Sequence, residues 1–274
     1  PDVSGDDSRL ASRGLGGADD APRPEEAPGQ FPPGFDESHA LIISIRDYDD
    51  PHFAQLPNAR RDGEELRDRI EDLPDDWQVT LLPVDRVDRA GIFDALDTFR
   101  SDLGPNDRAL LYYAGHGERY SATSNNAWML PSDAVDGDES TWVPFSHLEL
   151  LFDHERSAKH VLVALDCCYG GQLAQTARGR TAQDYELRLT TARAHVILCS
   201  GLKGQQVSDG FEGENSPFAA AILQALASPR VQITGTGLYD DVLEYFIANG
   251  IEGQTPSFAT RTPNNGGGYV IRLR

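Results

Sequence analysis

The chain has 274 residues, with 24 Lys or Arg against 44 Asp or Glu, a formal net charge of −20. So acidic a surface repels phosphate backbones and anionic lipid, which excludes nucleic acid and membrane surfaces as partners. Hydrophobic residues make up 39%, enough for one large α/β domain or two small ones, and no apolar run approaches the roughly 20 residues that cross a bilayer.

Residues 1–38 are rich in Pro, Gly, Asp and Glu and poor in large apolar side chains. Such a segment cannot bury enough surface to offset its ordering entropy, so it reads as a disordered tail or a propeptide. It has no apolar stretch of the kind a secretory signal needs. The folded domain is expected over 39–274, opening with a strand at Ala40–Ile45. Asn58 is placed to cap a helix running to about Asp72, with Leu66 and Ile70 on one face. Trp77–Val84 reads as a second strand, and Asp88 as the cap of a helix carrying Ile92, Leu96 and Phe99. Asp107–Ala114 is a third strand. Residues 118–143 form a long connection containing a short strand or hairpin, and Phe145–Phe152 is helical. Val161–Leu165 is an unbroken apolar run, as expected of a central strand covered on both faces. A long polar connection, 172–193, leads to a strand at Ala194–Ser200. Helices follow at Ser216–Ala227, begun by Asn215-Ser216-Pro217, and at Leu238–Ala248. Tyr269–Leu273 closes the chain as an edge strand. Alternation of strand and helix predicts a mainly parallel sheet with right-handed crossovers.

Two of these strands end in reactive residues. Arg-Ala-Leu-Leu-Tyr-Tyr-Ala runs into Gly115-His116-Gly117, and His-Val-Leu-Val-Ala-Leu runs into Asp166-Cys167-Cys168-Tyr169-Gly170-Gly171. Open α/β sheets place ligands at the carboxyl ends of their strands. If the two strands are parallel neighbours, an imidazole and a thiol share one sheet edge, a pairing that makes a thiolate nucleophile. The three cysteines, Cys167, Cys168 and Cys199, have neither disulfide-framework nor zinc-ligand spacing. A reducing, cytoplasmic setting follows. Strand alternation turns Cys167 away from Cys168, and both Cys167 and Cys199 read as packing residues.

The Tyr-Tyr-Ala-Gly-His-Gly block with Asp-Cys-Cys-Tyr-Gly-Gly some 50 residues later resembles the caspase-like cysteine peptidases, and most closely the metacaspases and bacterial caspase-like domains. Their pattern is Ser-Gly-His-Gly and then Asp-x-Cys-x-Ser-Gly; this chain has Ala114 and Gly170 in place of the serines. The resemblance spans about 39–230. It implies a caspase-like (caspase-hemoglobinase) α/β three-layer sandwich, a mainly parallel sheet of about six strands with helices on both faces. It also implies a cysteine endopeptidase with His116 as base and Cys168 as nucleophile. Backbone N–H groups of Gly117 and Cys168 would then hold the oxyanion. No third catalytic member is named.

In metacaspases the Asp two residues before the nucleophile, with another on the first helix, lines a pocket for a basic P1 side chain. Asp166 and Asp62 match those positions, which implies cleavage after Arg or Lys. The loop after the nucleophile carries Arg178, Arg180, Arg188 and Arg193, candidate sites of self-processing or of cutting by an upstream protease. Some metacaspases need calcium, and Asp133, Asp136 and Asp138 with Glu139 are candidate ligands. Their spacing is not that of an EF-hand, and Gln175 stands where the family has an aspartate, so no cofactor is expected and a solvated acidic loop is the plainer reading. Protein substrates are the expected partners, with an activating protease or sensor upstream in a bacterial stress or phage-defence cascade. Two other readings are a catalytically idle caspase-like scaffold that binds a partner in the same groove, and a non-peptidase cysteine hydrolase or acyl transferase.

Overall fold

A computed structural model describes residues 34–119, 126–153, 157–168, 170, 191–202, 205–261 and 267–274. Residues 1–33 of the tail expected over 1–38, the arginines at 178, 180 and 188, and Gln175 lie outside these residues. The described part begins before the expected His39. Phe35 already packs edge-on against His160, ring centroids 4.6 Å apart.

In chain order the elements are β1 (Ser38–Ser44), α1 (Ala59–Glu71), β2 (Trp77–Leu81), α2 (Arg89–Asp102), β3 (Arg108–Ala114), β4 (Gly117–Glu118), β5 (Trp128–Met129), β6 (Val143–Pro144), α3 (Phe145–Glu149), β7 (His160–Asp166), β8 (Ala194–Cys199), α4 (Pro217–Leu226), β9 (Gln232–Thr234), α5 (Gly235–Ala248), β10 (Ser257–Arg261) and β11 (Val270–Arg272). The main sheet has six strands in the order β10-β8-β7-β3-β1-β2. Five run parallel, and β10 closes one edge antiparallel to β8.

Strand alternation sorts the core into two layers. Leu41, Ile43, Leu111, Tyr113, Val161 and Val163 meet Ile92, Leu96 and Phe99 of α2 and Leu148 of α3. Ala40, Ile42, Leu110, Tyr112, Leu162 and Ala164 meet Leu66 and Ile70 of α1, Ile222 of α4 and Val242 of α5. Both faces of β3 and β7 are covered, so all seven residues of each are buried. This is why they read as unbroken apolar runs rather than alternating ones.

Three local expectations change. Asn58 does not cap α1: its backbone is helical (φ −92, ψ −23) and its side chain makes no cap bond. The main-sheet edge is Ser257–Arg261, whereas residues 270–272 pair with β9 in a separate two-stranded ribbon. Ser-Phe-Ala-Thr-Arg carries too little apolar signal to declare itself as a strand, because an edge strand is only partly covered. The connection after β3 is a three-stranded ribbon of β4, β5 and β6 rather than one hairpin. Asp88 and Ser216 do cap their helices, accepting from Gly91 N and Ala219 N.

Candidate active site

The register between β3 and β7 sets Ala114 opposite Asp166. His116 and Cys168 therefore stand at equal distance past the carboxyl ends of two neighbouring parallel strands. The chain passes from β1 to β2 on one side and to β3 on the other, so a crevice opens where the winding reverses. A pocket of about 220 Å³ lies there, with His116, Cys168, Asp166, Asp62 and Asp209 in its wall.

His116 is held on every side. Its N–H donates to the Tyr48 hydroxyl at 2.7 Å, and its carbonyl accepts from the Tyr113 hydroxyl at 2.7 Å. Its ring lies 4.7 Å from that of Tyr48 and 6.1 Å from that of Phe53. Nε2 sits 2.7 Å from the Ala54 carbonyl oxygen. A carbonyl only accepts, so Nε2 carries the hydrogen and Nδ1 of the neutral ring keeps its lone pair for a proton. Sequence reasoning named no orienting group; the one present is a backbone carbonyl of the loop after β1, which leaves no side-chain signature.

Cys168 is half-buried, and burial pushes its thiol up, against a hydrogen bond from the Val207 backbone. Cys167 and Cys199 are buried in the core. Burial raises both thiols, Cys199 to about 12, so neither is a nucleophile at rest. Gly117 permits a close approach, but to the protein itself: a Cβ there would lie 2.1 Å from the Cys168 carbonyl oxygen. The two motif tips thus pack backbone to backbone.

Asp62 and Asp166 are both buried, although Asp62 could have been a surface helix residue. The Ser216 N–H donates to Asp62 Oδ1 at 3.1 Å, and the Ser216 hydroxyl donates to Asp166 Oδ2 at 2.6 Å. One residue at the start of α4 thus ties the two carboxyls together. Asp166 Oδ1 is buried with no hydrogen-bond partner. Burial first, and then the Asp166 charge, pushes Asp62 up to about 8. Burial likewise pushes Asp166 up to about 6, against hydrogen bonds from the Ser216 and Tyr112 hydroxyls to Oδ2.

Asp209 is the pocket carboxyl that sequence reasoning did not find. It arrives on the loop between β8 and α4, and Asn58 explains how. Asn58 Nδ2 donates to the carbonyls of Asp209 and Phe211 at 2.7 and 2.8 Å, and its Oδ1 accepts from Gly213 N at 3.0 Å. Its own N–H donates to Asp209 Oδ2 at 3.0 Å. A residue expected as a helix cap is a buried tether between segments about 150 positions apart.

The remaining candidates do not gather at the pocket. Asp133 Oδ1 accepts from Arg89 N, Asp138 Oδ1 accepts from Ser140 N, and Asp136 N donates to Asp50 Oδ2. Among the described residues these acids form no group of three with converging ligand atoms. Arg193 is anchored rather than presented: its Nη1 donates to the Ser157 carbonyl at 2.8 Å, at the entrance to β8.

The caspase domain family model matches residues 37–260. The chain belongs to the caspase domain family. That family is one of cysteine peptidases. No curated protein matches the chain in sequence. Among solved structures it is similar to protein GSU0716 from Geobacter sulfurreducens, with a TM-score of 0.60 at 17% identity over 84% of this chain and 95% of that one. It is similar also to caspase-1 from Spodoptera frugiperda, with a TM-score of 0.60 at 15% identity over 83% of this chain and 88% of that one. Both likenesses are of fold. Among the described residues, no helix of this caspase-like chain is long and apolar enough to cross a membrane.

Proposed function

We propose that this caspase-family chain is a cysteine endopeptidase that cleaves proteins after Arg or Lys, with Cys168 as nucleophile and His116 as base. The observation that carries the specificity is the pocket wall. Among its described residues it holds three aspartates, Asp62, Asp166 and Asp209, and no Arg or Lys. An acidic P1 side chain would meet like charge there. A guanidinium or ammonium would meet carboxylate, including the unpartnered Asp166 Oδ1.

The Cys168 thiol rests protonated, so attack begins with transfer of its proton to His116 Nδ1. The Sγ–C bond forms as the carbonyl π pair moves onto oxygen, and backbone N–H groups of Gly117 and Cys168 take that charge. The C–N bond then breaks, and the amine leaves with the proton from His116. Water, deprotonated by His116, hydrolyses the thioester and regenerates the thiol.

Processing at Arg178, Arg180, Arg188 or Arg193, activity without a cofactor, a cytoplasmic setting and a place in a bacterial stress or defence cascade belong to the same proposal. The test is hydrolysis of fluorogenic peptides varied only at P1, for the parent and Cys168→Ala, with and without calcium. Turnover after Arg or Lys, lost on the order of 10³-fold or more in Cys168→Ala, is expected. Turnover after Asp alone would overturn the basic pocket, and hydrolysis confined to small thioesters would overturn the peptidase.

A further inference from the structure

The end of the sheet opposite the pocket carries a second cluster of reactive groups. Glu37 immediately precedes β1 and His39 is its second residue, two positions on. The register that pairs Ser38 with Arg108 sets Asp107 beside Glu37. His39 Nε2 lies 3.1 Å from Glu37 Oε2 and 3.7 Å from Asp107 Oδ2. One ligand atom from each of the three falls within 4.8 Å of the others. We propose that Glu37, His39 and Asp107 bind a divalent transition-metal cation of the zinc kind.

Four observations support the site. The first is spacing: metal–ligand bonds of about 2.0–2.1 Å in a tetrahedron hold ligand atoms about 3.3 Å apart, between the two measured separations. The second is His39 itself. Its side chain is only 9% exposed, and its buried Nε2 has no hydrogen-bond partner. The third is charge. Among the described residues the ion pairs of Glu37 and Asp107 are to His39 alone. The neighbouring Arg108 is committed elsewhere, to Asp75, the Ser38 hydroxyl and the Val270 carbonyl. A divalent cation balances two carboxylates while a neutral imidazole lends its lone pair. The fourth is support behind the ligands. Gly104 N and Glu37 N donate to the two oxygens of Asp107 at 2.6 and 3.1 Å, and Gln78 Nε2 donates to Glu37 Oε2 at 3.0 Å. Such partners orient ligating carboxylates.

The side chain of Glu37 is 55% exposed, which leaves solvent access for the ion and for water ligands. One imidazole with two carboxylates suits zinc or its neighbours better than calcium, which prefers oxygen throughout. A bound cation would staple the chain entering β1 to the chain entering β3. It would act on the stability of the fold and not on the chemistry at Cys168.

The test uses the full chain carrying Cys168→Ala, so that the pocket thiol takes up no zinc and the outcome does not depend on peptidase activity. The protein is stripped with chelator and titrated calorimetrically with zinc chloride, alone and in millimolar calcium. One saturable site per chain is expected, insensitive to calcium, with a rise in Tm on loading. Both Glu37→Gln and His39→Gln should weaken that site at least tenfold. Cobalt should give visible absorption bands in the parent that Glu37→Gln removes. Glu37 is exposed, so its variant folds even if His39→Gln does not. No saturable zinc, or zinc bound equally well by Glu37→Gln, overturns the proposal and leaves a His39 ion pair.

Discussion

At the scale of single residues, the caspase-like site is governed by groups whose charge the fold has altered. Asp62 has a folded pKa of about 8, raised by burial and by the neighbouring Asp166 charge. Between the ordinary carboxyl range and pH 8 the folded chain therefore binds a proton that the unfolded chain does not. Stability falls as pH rises through that window. Asp62→Asn should flatten the fall: thermal melts between pH 5 and pH 9 should show a smaller loss of Tm than in the parent. For an Arg substrate, kcat/KM should climb from pH 6 to pH 8 as Asp62 becomes able to ionise, and in Asp62→Asn the KM part of that climb should vanish. His116 supplies a second prediction. Tyr113→Phe removes the hydroxyl that holds the His116 carbonyl at 2.7 Å. The cost should be about 1 kcal/mol of stability, and kcat should fall on the order of tenfold with KM unchanged, because the base is misplaced rather than removed.

At the scale of elements, the pocket is closed by a loop that belongs to no strand or helix. It is held by Asn58, which makes four hydrogen bonds to Asp209, Phe211 and Gly213. Asn58→Ala removes the three side-chain bonds, leaving the Asp209 and Phe211 carbonyls and Gly213 N without that partner, and keeps the backbone bond to Asp209 Oδ2. Peptide kinetics should show a rise of about tenfold in KM with a smaller change in kcat, at a stability cost of about 1–3 kcal/mol. The His-Gly turn and the Cys-Cys turn are coupled in the same way. Gly117→Ala would drive a methyl into the Cys168 carbonyl, 2.1 Å away. Both tips would shift, and activity should be lost even though the side chains of His116 and Cys168 are untouched.

At the scale of the molecule, one buried cation fastens the far end of the sheet. Arg108 is 1% exposed, and its guanidinium lies 4.4 Å from the Trp77 ring and 4.7 Å from the Phe35 ring. It also meets Asp75 at 2.7 Å. Arg108→Met leaves Asp75 with Arg272 as its remaining partner, at 3.1 Å, and the Val270 carbonyl without its guanidinium donor, for a loss of about 3 kcal/mol. In a domain of this size that lowers Tm by roughly 10 °C, while kcat measured well below the transition stays unchanged. The net charge of −20 acts over longer range. Under the proposed function it should draw cationic protein substrates toward the acidic pocket, so kcat/KM on them should fall between 0.05 and 0.5 M salt by roughly tenfold, and much less on a short neutral-flanked peptide.

The apolar runs of β1, β3, β7 and β8, and the caps Asp88 and Ser216, are local signals. A strand buried on both faces and a helix start each leave a pattern in consecutive residues. The two strand ends that carry His116 and Cys168 were legible for the same reason, since glycine after an apolar run marks a turn wherever it occurs. That these ends are neighbours and that Asp62 joins Asp166 were legible only through the family resemblance, and that Asn58 reaches Asp209 was not legible at all. Each depends on segments far apart in the chain meeting at one sheet edge. The edge strand Ser257–Arg261 was missed because only Ala259 of its five residues is fully buried, and its sequence need not be apolar. The sequence by itself determined the sheet's central strands and the two reactive tips. Tertiary structure alone decided what surrounds them, because burial and electrostatic neighbourhood are properties of space and not of sequence order.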